Sequence, residues 1–192
     1  MGQENIYLIA FVGEAGAGKD TIANALCDAL PELTNKVVSW TTRPKRDYET
    51  QDKDYHFASE GEFFREEKFF LEKDNFNGWY YATHSKSLAE NKVNIGVYTP
   101  KGCRELLKYD GLYPIFFKVD CGSKIRLLRQ LERDNDTSPT EICRRFLADK
   151  KDFDETFGFP YHTLKNETTQ DLDEIVADLR LLIKMLYNFM ID

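Results

Sequence analysis

The patterned part of the chain opens on an unbroken apolar run, Ile6–Val12 (IYLIAFV). A run without polar alternation reads as a strand buried on both faces, as in a parallel sheet. A glycine-rich segment follows, and then Ile22, Ala25, Leu26 and Ala29 recur at helical spacing, with Pro31 closing the helix. Lys36–Trp40 (KVVSW) reads as a second strand, so the opening is a βαβ unit, whose crossover is right-handed. The middle, roughly 41–90, is polar and aromatic-rich, broken by Arg-Pro, Asp and Gly. Within it, Ser59 and Glu62 form a capping box that opens a short helix. KVNIGVY and LYPIFFKVD read as strands, and Ser123–Arg133 and Pro139–Phe153 as helices. The second of these has Ser138 as cap, Pro139 at its first position and Glu141 closing a box. YHTLKN is a short final strand. Leu172, Ile175, Val176, Leu179, Ile183 and Leu186 form the apolar stripe of a closing helix, a core face. The pattern predicts an α/β fold with a parallel sheet flanked by helices.

Composition narrows this little. A length of 192 residues suits one α/β domain with small inserted subdomains, and 42% hydrophobic residues supports a core. A net charge of -7 supplies no basic excess for nucleic acid, so no nucleic-acid partner is expected. A small anion is not excluded, because charges beyond about 8–10 Å are screened and local arginines decide. Cys27, Cys103, Cys121 and Cys143 form no C-x-x-C pair and have no histidine at metal spacing, so free cytosolic thiols are expected. No signal peptide or membrane-length apolar run is seen, and Ile6 stands where a myristoylation motif wants Ser or Thr. Asn166-Glu-Thr is formally a glycosylation acceptor that a cytosolic chain would not use. These features predict a cytoplasmic protein without a membrane partner. A monomer or a weak homodimer is expected, although no sequence feature fixes the oligomeric state.

The segment GEAGAGK satisfies G-x-x-x-x-G-K with Gly13, Gly18 and Lys19. It lies between a predicted strand and a predicted helix, the context that separates a phosphate loop from a chance glycine-rich turn. Glycines let successive N–H groups of Gly13, Glu14, Ala15, Gly16, Ala17 and Gly18 face a phosphate. The helix start adds positive potential, and Lys19 adds a full charge at the β/γ oxygens. Asp20 stands where a hydroxyl usually touches Mg²⁺. It could hold a hydrated metal through water, or act as an anion at the helix start, while Thr21 offers a hydroxyl next door. No residue is assigned as a direct metal ligand. Beyond the second strand, Arg43 and Arg46 should face this loop, since both strands end on one sheet edge. Two arginines three apart can grip one phosphate.

Three further blocks carry a family resemblance: SWTTRPKR at Ser39–Arg46, DYHF at Asp54–Phe57 and FLEKDNFNGWYYAT at Phe70–Thr83. With the phosphate loop, they make the chain similar to guanylate kinases over essentially its whole length. The resemblance implies a P-loop NTPase-type parallel sheet with an inserted nucleoside-monophosphate-binding subdomain and a helical lid. The core would cover about 1–38, 91–125 and 158–192, the subdomain about 39–90, and the lid about 126–157. It implies ATP and Mg²⁺ as donor and cofactor, and GMP or dGMP as acceptor. Arg43, Arg46, Tyr55 and Tyr81 would hold the acceptor phosphate. Ser39 and Thr83 would hydrogen-bond the base, and Glu72 would accept from the guanine edge. That last role is chemically apt: guanine shows two adjacent donors and a carboxylate offers two acceptors. Adenine would leave Glu72 partly unpaired, at a cost of roughly 1–3 kcal/mol. Asn166 would lie beside the adenine of ATP. In the lid, Arg133 and Arg145 are the candidates to reach the transferring phosphoryl. A gapless match puts Asp134 in place of Arg133, and Arg144 rivals Arg145.

The chain departs from the family in its NIGVYTPKG segment. No carboxylate occurs between Asn94 and Gly102, and Gly96 and Tyr98 stand where the family has aspartates. Base selectivity is therefore expected to rest on Glu72. Two alternatives remain at this stage. One is a broader deoxynucleoside monophosphate or sugar-phosphate kinase of the same fold. The other is a non-catalytic guanylate-kinase-like binding domain.

Overall fold

A computed structural model describes residues 5–47, 49–76, 78–133, 138–153 and 157–191. In chain order the elements are β1 (Ile6–Val12), α1 (Lys19–Ala29), β2 (Thr34–Lys36), β3 (Trp40–Thr41), β4 (His56–Phe57), α2 (Glu60–Glu66), β5 (Phe70–Phe76) and β6 (Trp79–His84). They continue with β7 (Val93–Tyr98), α3 (Pro100–Leu106), β8 (Leu112–Asp120), α4 (Ser123–Arg133), α5 (Pro139–Asp152), β9 (His162–Lys165) and α6 (Thr169–Ile191). One sheet is fully parallel, in the order β2-β7-β1-β8-β9. The other, β4-β3-β6-β5, is mixed, with antiparallel β3–β6 and β5–β6 pairs.

The apolar run of β1 divides between two cores by the two-residue period of a strand. Ile9 and Phe11 face α1 and α6, where Ile22, Leu26, Ile175, Leu179 and Ile183 are buried. Leu8, Ala10 and Val12 face the opposite side, against Leu106, Phe116, Phe157 and Phe159. Helices thus cover both faces, as a central parallel strand requires. Both arms of the Ser59–Glu62 capping box are present at α2. Helix α5 begins at Pro139, with the Ser138 carbonyl accepting from Ile142 N at 3.1 Å. The Glu141 side chain, the other half of the expected box, lies outside the described residues.

One expected strand is corrected. KVVSW is not continuous: it splits between two sheets. Val37 N still donates to Ile95 O at 2.8 Å, and the chain then leaves the parallel sheet. Trp40 pairs with His56 and Ala82 in the second sheet and packs against the cluster of Phe63, Phe70 and Tyr80. Its ring stacks on His56 at 3.9 Å. Burial of this aromatic cluster outcompetes continuation of an apolar strand. The switch carries the chain from one wall of a cleft to the other. No described helix is long and apolar enough to cross a membrane.

Candidate active site

The phosphate loop joins β1 to α1. Gly13 is packed so closely that a Cβ would sit 2.5 Å from the Val119 carbonyl oxygen. Gly18 has φ 96°, and a Cβ there would strike the Asn166 amide at 2.3 Å. The loop's carbonyls are turned outward and satisfied. Lys19 Nζ donates to Glu14 O (3.0 Å), Gln130 Nε2 to Ala15 O (3.3 Å), Arg129 Nη1 to Gly16 O (3.4 Å), and Asn166 Nδ2 to Ala17 O (2.8 Å). Arg126, buried in α4, pairs with Glu14 at 2.7 Å. With carbonyls held behind, the amides are left for an anion, and one is present. Asp149 of α5 accepts from Ala15 N at 2.8 Å. It is 1% exposed, and its second oxygen has no partner. Burial raises its pKa against the Ala15 hydrogen bond and nearby Lys19. Asp20 and Thr21 are exposed in the first turn of α1 and line the cleft. Asn166 braces the loop from behind.

Across the cleft lie Arg43, Arg46, Tyr55 and Tyr81. Arg43 forms a two-pronged pair with Glu49, Nη2–Oε1 2.7 Å and Nη1–Oε2 2.9 Å, and Arg46 N donates to Oε2 at 2.9 Å. Burial alone would raise the Glu49 carboxyl, but the Arg43 fork and the Arg46 amide hold it below its ordinary value. The Arg43 guanidinium lies 5.4 Å from the Tyr55 ring centroid. Tyr55 and Tyr81 meet edge to face at 6.1 Å. Burial raises the Tyr55 pKa, with Asp20 as the next cause, so the first turn of α1 confronts this pocket.

The third part is set by β5 and β6. Glu72 pairs across the sheet with Thr83, whose hydroxyl donates to Glu72 Oε1 at 2.8 Å. Thr83 is fully buried behind it, while Ser39 and Glu72 line the cleft. Burial pushes Glu72 up to about 7, with Thr83 opposing and Asp74 adding. Gly102 makes room: a Cβ there would lie 2.9 Å from Glu72 Oε2. The segment 94–102 carries no acid, yet the pocket wall does. Asp74, two residues from Glu72 on the same strand, accepts from Thr99 Oγ1 (2.6 Å) and Lys101 Nζ (3.1 Å). Its i+2 spacing was the signal that could have found it. Tyr98 lines the same end.

Arg133 and Arg145 belong to α4 and α5, but their side chains lie outside the described residues. Among the described residues of α4, Arg129 lines the cleft; it is not among the sequence candidates. Among the described residues, no group of three or more His, Cys, Asp or Glu is placed to hold a metal.

These parts share one cleft of about 550 Å³ near the carboxyl ends of β1 and β7, where open α/β sheets bind ligands. A lysine-bearing phosphate loop facing an arginine–tyrosine anion pocket defines a P-loop phosphotransferase. The guanylate kinase family profile matches residues 5–186. The chain belongs to the guanylate kinase family. It is 31% identical over 190 residues to the guanylate kinase of Mycoplasma genitalium, covering 92% of this chain and 75% of that one. The guanylate kinase of Geobacter sulfurreducens is 29% identical over 184 residues, covering 88% and 85%. Protein PALS1 of Danio rerio is 26% identical over 186 residues, which is 93% of this chain but 27% of that protein. In fold, the guanylate kinase structure from Anaplasma phagocytophilum aligns with TM-score 0.62 at 17% identity, covering 96% of this chain and 87% of that one.

Proposed function

We propose that this enzyme transfers the γ-phosphoryl group of ATP to GMP or dGMP, giving ADP and the guanine diphosphate. One observation carries the reading: two anion positions lie in a single cleft, each held by an internal carboxylate, Asp149 at the loop amide and Glu49 at the arginine fork. The loop amides and Lys19 would cradle the donor phosphates, and Arg43, Arg46, Tyr55 and Tyr81 the acceptor phosphate. Glu72, set by Thr83, would accept from the purine edge, with Ser39 beside it. The acceptor oxygen is already ionised near neutral pH, so no general base is needed. Catalysis is then positioning plus charge stabilisation. Lys19 and the lid arginines, Arg133 and Arg145 with Arg129 beside the loop, would supply that charge. Mg²⁺ bound with ATP would supply further neutralisation of the donor phosphates' charge. Asp20 and Thr21, both at the cleft, would hold it, Asp20 through the ion's own waters. We assign the core to about 1–38, 91–125 and 158–192, the acceptor subdomain to 39–90 and the lid to 126–157.

The test is coupled ADP release across the common ribo- and deoxynucleoside monophosphates, with and without Mg²⁺. GMP or dGMP should exceed AMP by at least about 10-fold in kcat/KM. Equal turnover of all monophosphates would favour the broader kinase. No turnover with any, alongside affinity for a phosphopeptide, would favour a binding domain.

A further inference from the structure

Asp149 meets the phosphate loop at one particular end. The helix-start amides of such a loop cradle the α- and β-phosphates, and its lysine reaches the β/γ oxygens. Here α1 starts at Lys19, whose ammonium folds back along the loop to Glu14 O at 3.0 Å. That ammonium marks the β/γ end. Asp149 sits there too: its carboxylate accepts from Ala15 N at 2.8 Å and feels the Lys19 charge. The other charges acting on it are Glu14 and Arg126, which pair with each other at 2.7 Å. Asp149 Oδ1 is buried and has no hydrogen-bond partner among the described residues. Just past the end of α5, Phe153 packs into the core cluster and meets Phe157 edge to face at 5.9 Å, anchoring this end of the helix beside the loop. A buried, half-bonded carboxylate is costly. Asparagine would keep the Ala15 bond without burying a charge, so the charge itself needs a reason.

We propose that Asp149 stands in for the γ-phosphoryl group of the donor and sets the enzyme's relative affinity for nucleoside tri- and diphosphates. The proposal rests on the donor reading above and deepens it. A diphosphate fills the helix-start amides and leaves the carboxylate on Ala15 N. A triphosphate needs Ala15 N and the space beside Lys19, so it must displace the carboxylate first. Two anions cannot share that one amide without repulsion. Once the γ-phosphoryl group has moved to the acceptor, the carboxylate returns to the amide it left. Asp149 therefore weakens the triphosphate selectively and leaves the diphosphate's contacts untouched.

The test measures Kd for ATP and for ADP by calorimetry, with Mg²⁺ and without acceptor, in the parent, Asp149→Ala and Asp149→Asn. Asp149→Ala should tighten ATP about 10-fold and leave ADP within about 2-fold. Asp149→Asn keeps the side chain's shape and its Ala15 hydrogen bond. It should shift the ATP/ADP ratio in the same direction, and it carries the test if the alanine variant does not fold. A purely structural role would move both nucleotides together or neither. An affinity of ATP relative to ADP that stays the same or falls overturns the assignment. A parent enzyme that binds neither nucleotide refutes the donor reading of the loop instead, so the two failures are distinguishable.

Discussion

Replacing Glu72 by glutamine should stabilise the fold and damage recognition, and pH separates the two effects. Glu72 is 7% exposed, and burial raises its pKa from 4.5 to about 7. The folded protein therefore binds this proton more tightly than the unfolded chain. The resulting stability is complete below about 4.5 and is lost as pH rises through 7. Above 7 the folded state carries an ionised, buried carboxylate, at about 3 kcal/mol relative to its neutral form. Glutamine keeps the Thr83 hydrogen bond and never ionises. Glu72→Gln should match the parent near pH 4.5 and exceed it by up to about 3 kcal/mol at pH 8.5, read from urea unfolding. Activity should move oppositely. At pH 6 only about a tenth of Glu72 is ionised, so kcat/KM for GMP should fall about 10-fold from its plateau. The acceptor phosphate titrates near pH 6 as well. It cancels when the parent profile is divided by that of Glu72→Gln. A stability difference independent of pH, or a divided profile flat between pH 6 and 8, would refute the reasoning.

Arg43→Met should raise KM for GMP about 100-fold or more with little effect on donor binding, since a two-pronged anion grip is lost. Equal losses for both nucleotides would count against it. Asp149→Ala should tighten ATP binding about 10-fold, measured by calorimetry without acceptor, because a competing anion leaves the loop. Weaker binding would show that the carboxylate assists the donor. Asp20→Ser should lower the Mg²⁺ concentration for half-maximal turnover, by substituting a direct hydroxyl ligand for one acting through water. An unchanged Mg²⁺ titration would remove Asp20 from the metal's surroundings.

Local patterns carried most of the fold. Ile6–Val12, Leu112–Asp120 and Ser123–Arg133 have the bounds that their apolar patterns predict. KVVSW failed because the five residues look alike as strand formers. What divides them is Trp40's cluster with Phe63, Phe70 and Tyr80, which lie 23 to 40 residues onward. The site followed the same rule. The phosphate loop was legible because its motif is contiguous. Asp149 was not, because 134 positions separate it from Ala15 and it is one acid among 33. Arg129 lines the cleft, and nothing local in the sequence marks it out among the arginines of α4. Asp74 was missed although its spacing from Glu72 announces a shared strand face.

The internal carboxylates at Ala15 and Arg43 make nucleotide entry an exchange rather than a filling. Free inorganic phosphate meets sites whose charge is already answered, and it brings no base or second phosphate group to repay the displacement. A nucleotide brings several contacts at once and can evict the resident acid. The unliganded protein should therefore bind small anions weakly, since the carboxylates that compete with them belong to the chain itself.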